Sequence, residues 1–417
     1  MPNKRYAFRP LQELQSLQGS SRTKRSKPRG GLGEGLDSEC TPTSSCIQLW
    51  SPPHKQLKNT SKGKENEDGQ FVLGRRSRRR KESSAGLSWD HLPDELLLRV
   101  LLHLRLQDLV RVSAVCMRWR RLAFDRCLWS SVDLEGLVHA GPALQQVLKI
   151  GVSRLRCPRC CVEELRLADA GPLPVTHMDL SSSIIPTPAL EGVLRRCTLL
   201  QCVSLEGLQL SDSIMASLAS NPGLLQLNLS GCSGFSAAPL GAMLRSCSSV
   251  TQLNVSWCHF TADHVKSVVD NVTPAVTRLN LSGYRESLSL DDVKVLVDRC
   301  PHIQTLDLSD CTLLTAESFP VLKQLPSLQH LSLSRCYHIH MAALTDVGRT
   351  FPSLALLDVF GLGQDAHLPG LKKQMPHIGV NSRPFSGVAR PTPAGRLPGT
   401  PADRAMWGGR CRLRFRL

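Results

Sequence analysis

The sequence predicts an α/β protein of modular build: a disordered leader, a small helical unit, and a curved solenoid of about ten strand-and-helix repeats. Three observations carry that prediction. An apolar pattern built on leucine returns every 23 to 27 residues through most of the chain. A compact helical pattern precedes it, and nearly all the net charge lies outside both.

The leader comes first. Over 1–85, Ser, Gly, Pro, Lys and Arg dominate, with few aromatic or β-branched residues, a composition that cannot bury enough apolar surface to order itself. The chain carries a formal charge of +16, divided as +10 over 1–85, +1 over 86–133, −2 over 134–381 and +7 over 382–417. The two arms are therefore basic and the folded regions nearly neutral. A nucleic-acid-binding domain would gather positive charge on a folded face, so nucleic acid is not an expected partner. No run approaches the ~20 apolar residues that span a bilayer. The start, Met-Pro-Asn-Lys-Arg-Tyr, lacks the apolar stretch of a secretory signal, so a soluble intracellular protein without a membrane partner is expected. Within the leader, Leu11, Leu14 and Leu17 form a short apolar stripe at helical spacing, suited to a docking peptide. Arg75, Arg76, Arg78, Arg79, Arg80 and Lys81 read as a nuclear-import signal, placing the protein in the nucleus as well as the cytoplasm. Ser51, followed by Pro52, and Ser83, preceded by Arg78 and Arg80, are candidate phosphorylation sites.

The helical unit spans 87–133. Leu92, Leu96, Leu97, Val100, Leu101 and Leu104 fall on one helical face, with Pro93 near the first turn and Asp94 and Glu95 favouring a helix N-terminus. Leu109, Val112, Val115, Cys116, Trp119 and Leu122 make a second amphipathic segment, and Leu128, Trp129 and Val132 lead onward. So short a unit cannot bury a self-sufficient core, and it should dock both on a partner and on the next domain.

From about 134 to 381 the pattern L-x-x-L-x-L-x-x-C/L recurs. Its second strand position falls at Leu134, Cys157, Leu180, Leu205, Leu229, Val255, Leu281, Leu308, Leu333 and Val359. That spacing lies in the leucine-rich-repeat range of ~20–29 residues, where each unit covers the exposed core of its neighbour. Segments such as 263–271 and 291–300 carry helical spacing and should form the convex side. Cys232, Cys258, Cys311 and Cys336 recur at repeat spacing, and Cys197, Cys247 and Cys300 at two-repeat intervals, so they read as small core residues with free thiols. Cys157 and Cys160 form a lone CxxC without the second ligand pair that structural zinc requires, and an irregular early repeat explains it better. After 381 the chain turns Pro-, Gly- and Arg-rich, then ends with alternating Cys411, Leu413, Phe415 and Leu417, a strand with one buried face.

Neither a nucleophile elbow nor a phosphate-cradling glycine loop nor a zinc-protease motif is present, so no enzyme is expected and no cofactor. Candidate binding residues come from the repeat itself. Alternate strand residues should line the concave surface, and most are small and polar: Ser181, Asn228, Ser230, Asn254, Ser256, Asn280, Ser282, Ser309, Ser332 and Ser334. Against that background Trp257, Arg285, Asp310, Arg335, Tyr337 and Phe360 sit on adjacent rungs, and Trp, Tyr and Arg dominate interface hot spots. Either arginine could clamp a carboxylate or a phosphate.

The stretch from Trp89 through Leu92-Pro93 and Leu96-Leu97 to Val115, Trp119 and Leu128-Trp129 resembles an F-box. Together with the repeats, and with segments such as 228–235, 281–285, 330–337, 389–391 and 407–408, it resembles the S-phase kinase-associated F-box/leucine-rich-repeat family over about 87–417. That resemblance implies a non-catalytic substrate receptor of an SCF-type ubiquitin ligase. Its F-box would bind a Skp-type adaptor, through which a cullin and a RING subunit are reached. Trp89, Leu92, Pro93, Leu96, Leu97, Val100, Leu101, Val112, Val115 and Trp119 would form the adaptor contact. It further implies phosphorylated Kip-type inhibitors of cyclin-dependent kinases as targets, a Cks-type accessory protein that reads the phosphothreonine, and cyclin A with its kinase as a partner of the leader. The tail, 382–417, would fold back on the concave face, docking through Trp407, Cys411 and Leu413, although 392–404 departs from the family in its Pro, Gly and Arg content.

Overall fold

The computed structural model describes residues 89–167, 171–363, 367–391, 405–406 and 409–415. Leu11, Leu14, Leu17, Ser51, the run Arg75, Arg76, Arg78, Arg79, Arg80 and Lys81, Ser83 and Trp407 lie outside the described residues.

The helical unit opens with a short 3-10 turn, Trp89–His91, and continues as α1 (Asp94–Leu101), α2 (Leu106–Val112) and α3 (Met117–Ala123). Pro93 is extended at φ −57° and ψ 151°, and its preset φ starts α1. The second amphipathic segment is two helices rather than one. Cys116 is extended at φ −157°, and its Sγ accepts from the Trp119 amide at 3.4 Å, so the chain restarts there as a fresh helix N-terminus. Leu97, Leu101, Leu106, Leu109, Leu122, Leu128 and Trp129 are buried in a core continuous with that of the repeats. Trp129 is fully buried and donates its indole N–H to the Ala123 carbonyl at 2.7 Å, which satisfies the one polar atom this large side chain brings inside.

Eleven strands then follow one another in a single parallel sheet, in chain order. They are β1 (Ser131–Asp133), β2 (Arg154–Arg156), β3 (His177–Asp179), β4 (Cys202–Ser204), β5 (Gln226–Asn228), β6 (Gln252–Asn254), β7 (Arg278–Asn280), β8 (Thr305–Asp307), β9 (His330–Ser332), β10 (Leu356–Asp358) and β11 (Gly379–Val380). Each central residue, from Val132 and Leu155 to Leu331 and Leu357, is buried. So is the residue just after each of the first ten strands, Leu134 through Val359; these ten keep the predicted period but lie one position beyond the strands. In six rungs an Asx at the strand end takes over the next free amide. Asp133, Asp179, Asn228, Asn254, Asn280 and Asp307 each accept the backbone N–H two residues on, at 3.0–3.1 Å. Neighbouring strands lie about 4.8 Å apart, whereas packed helices need about 8–10 Å, so the stack curves with the strands inside. Among the outer helices, Ala262–Asn271 and Leu290–Arg299 begin with capping boxes at Thr261 and Ser289.

The recurring cysteines are buried free thiols that also reach back to the preceding rung. Cys232, Cys258, Cys311 and Cys336 donate to the carbonyls of Leu205, Leu229, Leu281 and Leu308, one rung earlier, at 3.0–3.5 Å. Tyr284 takes the same place in its rung, and its hydroxyl donates to the Val255 carbonyl. Burial pushes the Cys258 and Cys336 thiols up to about 12, so they remain protonated donors.

The segment after β11 returns across the strand face. Asn254 donates to the Val388 carbonyl at 3.2 Å, the Ala389 amide donates to Gln252, and Arg390 makes two bonds of 3.0 Å to the Glu206 carboxylate. Two short strands, β12 (Ala405–Met406) and β13 (Gly409–Arg410), pair antiparallel. The strand β14 (Leu413–Arg414) then adds to the free edge of β1, in parallel, with Leu413 opposite Val132.

Candidate docking face and substrate surface

The docking candidate is α1 with the residues around it. Leu97 and Leu101 point inward, 2% and 4% exposed, while Leu96 and Val100, one position earlier on the helix, are each 45% exposed. An eight-residue helix with an exposed apolar pair beside its buried stripe is covered by its own domain on one side only. This corrects the expected contact set: Leu97 and Leu101 hold α1 on the core and are not available to a partner. Trp89, Pro93 and Val115 are exposed, and Leu92, Val112 and Trp119 are half-buried. Trp89 meets Trp119 edge to face, with ring centres 5.8 Å apart. Below that pair, Arg118 bonds Asp94 at 2.8 Å and also donates to the carbonyls of Trp89, Asp90 and Leu92, tying the entry turn to α3. Met117, 80% exposed, is a further apolar candidate of the helical unit and was missed. The signal for Met117 was its position: on α3 it lies well round from Leu122, which faces the core.

The second candidate is the edge where each strand turns outward. Three residues after the last residue of each of the first ten strands, the backbone is left-handed. Gly136, Gly207, Gly231, Gly283 and Gly361 occupy that position in five rungs. Arg159, Ser182, Trp257, Asp310 and Arg335 occupy it in the others, with φ of 55–59°. A side chain there costs about 1–2 kcal/mol relative to glycine, so a large one is held against a standing penalty. Three of the six predicted binding residues sit at this strained position.

Their roles differ from the expectation. Asp310 is fully buried and is not a contact residue; its carboxylate receives Nε of Arg335 at 2.8 and 2.9 Å, with Arg285 Nη2 at 3.9 Å. The hydrogen bond that Arg335 donates to Asp310 is the main reason that its guanidinium is held still more firmly in its charged form. Arg335 is therefore aimed rather than free, and Arg285, with 64% of its side chain exposed, keeps most of its donors for a partner. Trp257 and Tyr337 are 46% and 61% exposed, and Phe360 is half-buried. The rungs that carry these residues, β6 to β10, are consecutive, so the surface runs about 20 Å along the sheet. Phe385, 60% exposed on the returning segment, was not foreseen.

The bland polar positions are not an open surface. Asn228, Asn254, Asn280, Ser230, Ser256, Ser282, Ser309, Ser332 and Ser334 are all buried. They bond one another along the rungs, as Ser230 does Ser256 at 2.9 Å and Ser309 does Ser332 at 2.8 Å, and the returning segment covers Asn254. That segment docks through Val388, Ala389 and Arg390, beyond the predicted contacts. Cys411 and Leu413 are buried, but against β1, and Arg412 donates to the carbonyls of Leu128 and Leu102. Among the described residues no His, Cys, Asp and Glu cluster could hold a metal ion, and no helix is long and apolar enough to cross a membrane.

A half-covered helical unit fixed to the end of a repeat arc, with charged and aromatic residues along one rim, defines a modular binding protein. Residues 89–135 match the family described as "F-box-like", and residues 142–414 match "SKP2 LRR domain". The chain belongs to the F-box/leucine-rich-repeat family, non-catalytic substrate receptors of SCF-type ligases that engage a Skp1-type adaptor through the F-box. It is similar to F-box/LRR-repeat protein 12 of Homo sapiens, 25% identical over 331 residues that cover 69% of this chain and 94% of that protein. It is similar as well to the putative F-box/LRR-repeat protein 9 of Arabidopsis thaliana, 25% identical over 54% of this chain and 88% of that one. An internalin of Listeria monocytogenes aligns with a TM-score of 0.34 at 14% identity, covering 58% of this chain and 64% of its own.

Proposed function

We propose that this receptor presents phosphorylated Kip-type inhibitors of cyclin-dependent kinases for ubiquitination and proteasomal degradation at the G1/S transition. The inhibitor is held on the rim formed by Trp257, Arg285, Arg335, Tyr337, Phe360 and Phe385, together with a Cks-type accessory protein that reads the phosphothreonine. The leader supplies nuclear import through Arg75–Arg76, Arg78–Arg79–Arg80 and Lys81, with Ser51 and Ser83 as phosphorylation sites and cyclin A with its kinase as a leader partner. The observation that supports the rim is the concentration of Trp257, Asp310 and Arg335 at left-handed positions where half the rungs carry glycine. Because the accessory protein takes the phosphate, the two arginines pair with acidic side chains, Arg335 in the direction set by Asp310.

Affinity capture separates the two faces. A Val115→Asp/Met117→Asp variant should lose the Skp-type adaptor and retain a threonine-phosphorylated Kip-type peptide with the Cks-type protein. A Trp257→Ala/Tyr337→Ala variant should do the reverse. Retention of the peptide complex by the second variant at wild-type affinity would refute the assignment of the rim.

A further inference from the structure

Trp257 has an unusual floor. A Cβ built on Gly283, one rung on, would lie 2.7 Å from Trp257 Cδ2, 2.9 Å from Cε3 and 3.1 Å from Cγ. The indole thus rests directly on the glycine backbone, and the approach is closed to any residue with a side chain. The relation follows from the rung geometry. At this edge the missing Cβ of the left-handed glycines beyond the first rung is directed at the corresponding residue of the preceding rung: Gly361 at Arg335 Cγ, 3.2 Å, Gly207 at Ser182, 3.8 Å, and Gly231 at Gly207, 3.7 Å. Trp257, Arg335 and Ser182 are each followed one rung later by glycine. Where the next rung instead carries Arg335, the residue before it is Asp310, which bonds it.

We infer that Gly283 is a positioning residue for the substrate surface: its bare backbone seats the Trp257 indole flat against the rim, so that the opposite ring face is offered to the partner. The inference rests on the proposed function of that rim and adds its geometric requirement. Gly283 itself, at φ +97°, acts through the indole and not by touching the partner. A tryptophan confined this way loses little further freedom on binding, the property that makes a rigid aromatic an effective anchor. A Cβ at 283 would lift the ring or turn it to another rotamer. The clash is with the root of the indole, Cγ and the ring-fusion carbon, which cannot swing aside as the tip of a flexible chain would.

The test uses the full chain purified with its Skp-type adaptor, and measures affinity for the Cks-type protein together with a threonine-phosphorylated Kip-type peptide. Gly283→Ala should weaken binding about 10-fold or more, the scale of a displaced hot-spot aromatic. Gly231→Ala serves as the control for backbone strain alone, since its φ is +69° and its Cβ would meet only Gly207 at van der Waals distance; it should bind within about 2-fold of wild type. Gly283→Asn keeps a residue that tolerates left-handed backbone yet still carries the Cβ, and should lose affinity as Gly283→Ala does. If the effect runs through the indole, Trp257→Ala/Gly283→Ala binds no more weakly than Trp257→Ala alone, and melts above the Gly283→Ala single variant because the clash is gone. Wild-type affinity for Gly283→Ala, or a further 10-fold loss on adding it to Trp257→Ala, would overturn the inference while leaving the rim assignment standing. Wild-type affinity for Trp257→Ala would overturn both.

Discussion

At the scale of single residues, the strand-end Asx position shows how the fold tolerates charge. Asn228, Asn254 and Asn280 fill it in three successive rungs, and Asp307 fills it in the next, with the same bond to an amide two residues on. Burial pushes the Asp307 carboxyl above its ordinary range, outweighing its bonds to Ser309 and the nearby His330. A group whose folded value is raised contributes stability that is complete in acid and is lost as pH rises through that folded value. Asp307→Asn keeps the accepting oxygen and removes the charge. It should therefore raise the melting temperature at pH 7.5, with the gain shrinking toward zero as the pH falls below the usual carboxylate range. Equal melting temperatures at both ends of a pH series would show that the buried charge costs nothing. The sequence foretold the polar ladder but placed it on an open surface; it could not show that these side chains bond one another, because each partner lies a whole repeat away.

At the scale of elements, α1 is the instructive case. Its run of leucine and valine was legible as helical, yet which half faces the core depends on where α3 and the first repeat lie, and no helical periodicity contains that. The division gives a clean contrast. Leu97→Ala opens a cavity in the core and should destabilise the unit by about 2–5 kcal/mol, detectable as a lower denaturation midpoint. Val115→Asp with Met117→Asp removes only exposed groups, and should shift stability by less than about 1 kcal/mol while abolishing adaptor capture. The closing strand β14 is a second case. The alternation of Cys411, Leu413 and Phe415 announced a strand with a buried face, but its partner β1 lies some 280 residues earlier, far beyond any local pattern. The docking of Val388 and Ala389 was still less legible, since it uses a carbonyl and an amide that every residue carries. Leu413→Asp should free the edge of β1, and amide hydrogen exchange of 131–133 should accelerate while that of β6 to β8 stays unchanged.

At the scale of the whole molecule, what the periodicity conveyed was the architecture: ten evenly spaced leucine positions are enough to require a stacked parallel sheet. What it could not convey was how the arc is held at its two ends. The repeat period says nothing of a segment that leaves it, and composition alone separated the returning chain from the solenoid it covers. The sheet has twelve strands because β14 is laid beside β1 after all the others. Arg412 then reaches past β1 to the carbonyl of Leu102 in the helical unit, so the same short piece of chain fastens docking unit and arc together. This ordering has a consequence for synthesis on the ribosome. The helical unit and the first rung emerge early, with one edge unpaired, and they wait for residues translated after the entire arc. A ribosome that stalls midway leaves a chain whose adaptor-binding helices are already made but whose junction is unlatched, so emergence of 411–415 is what sets the junction.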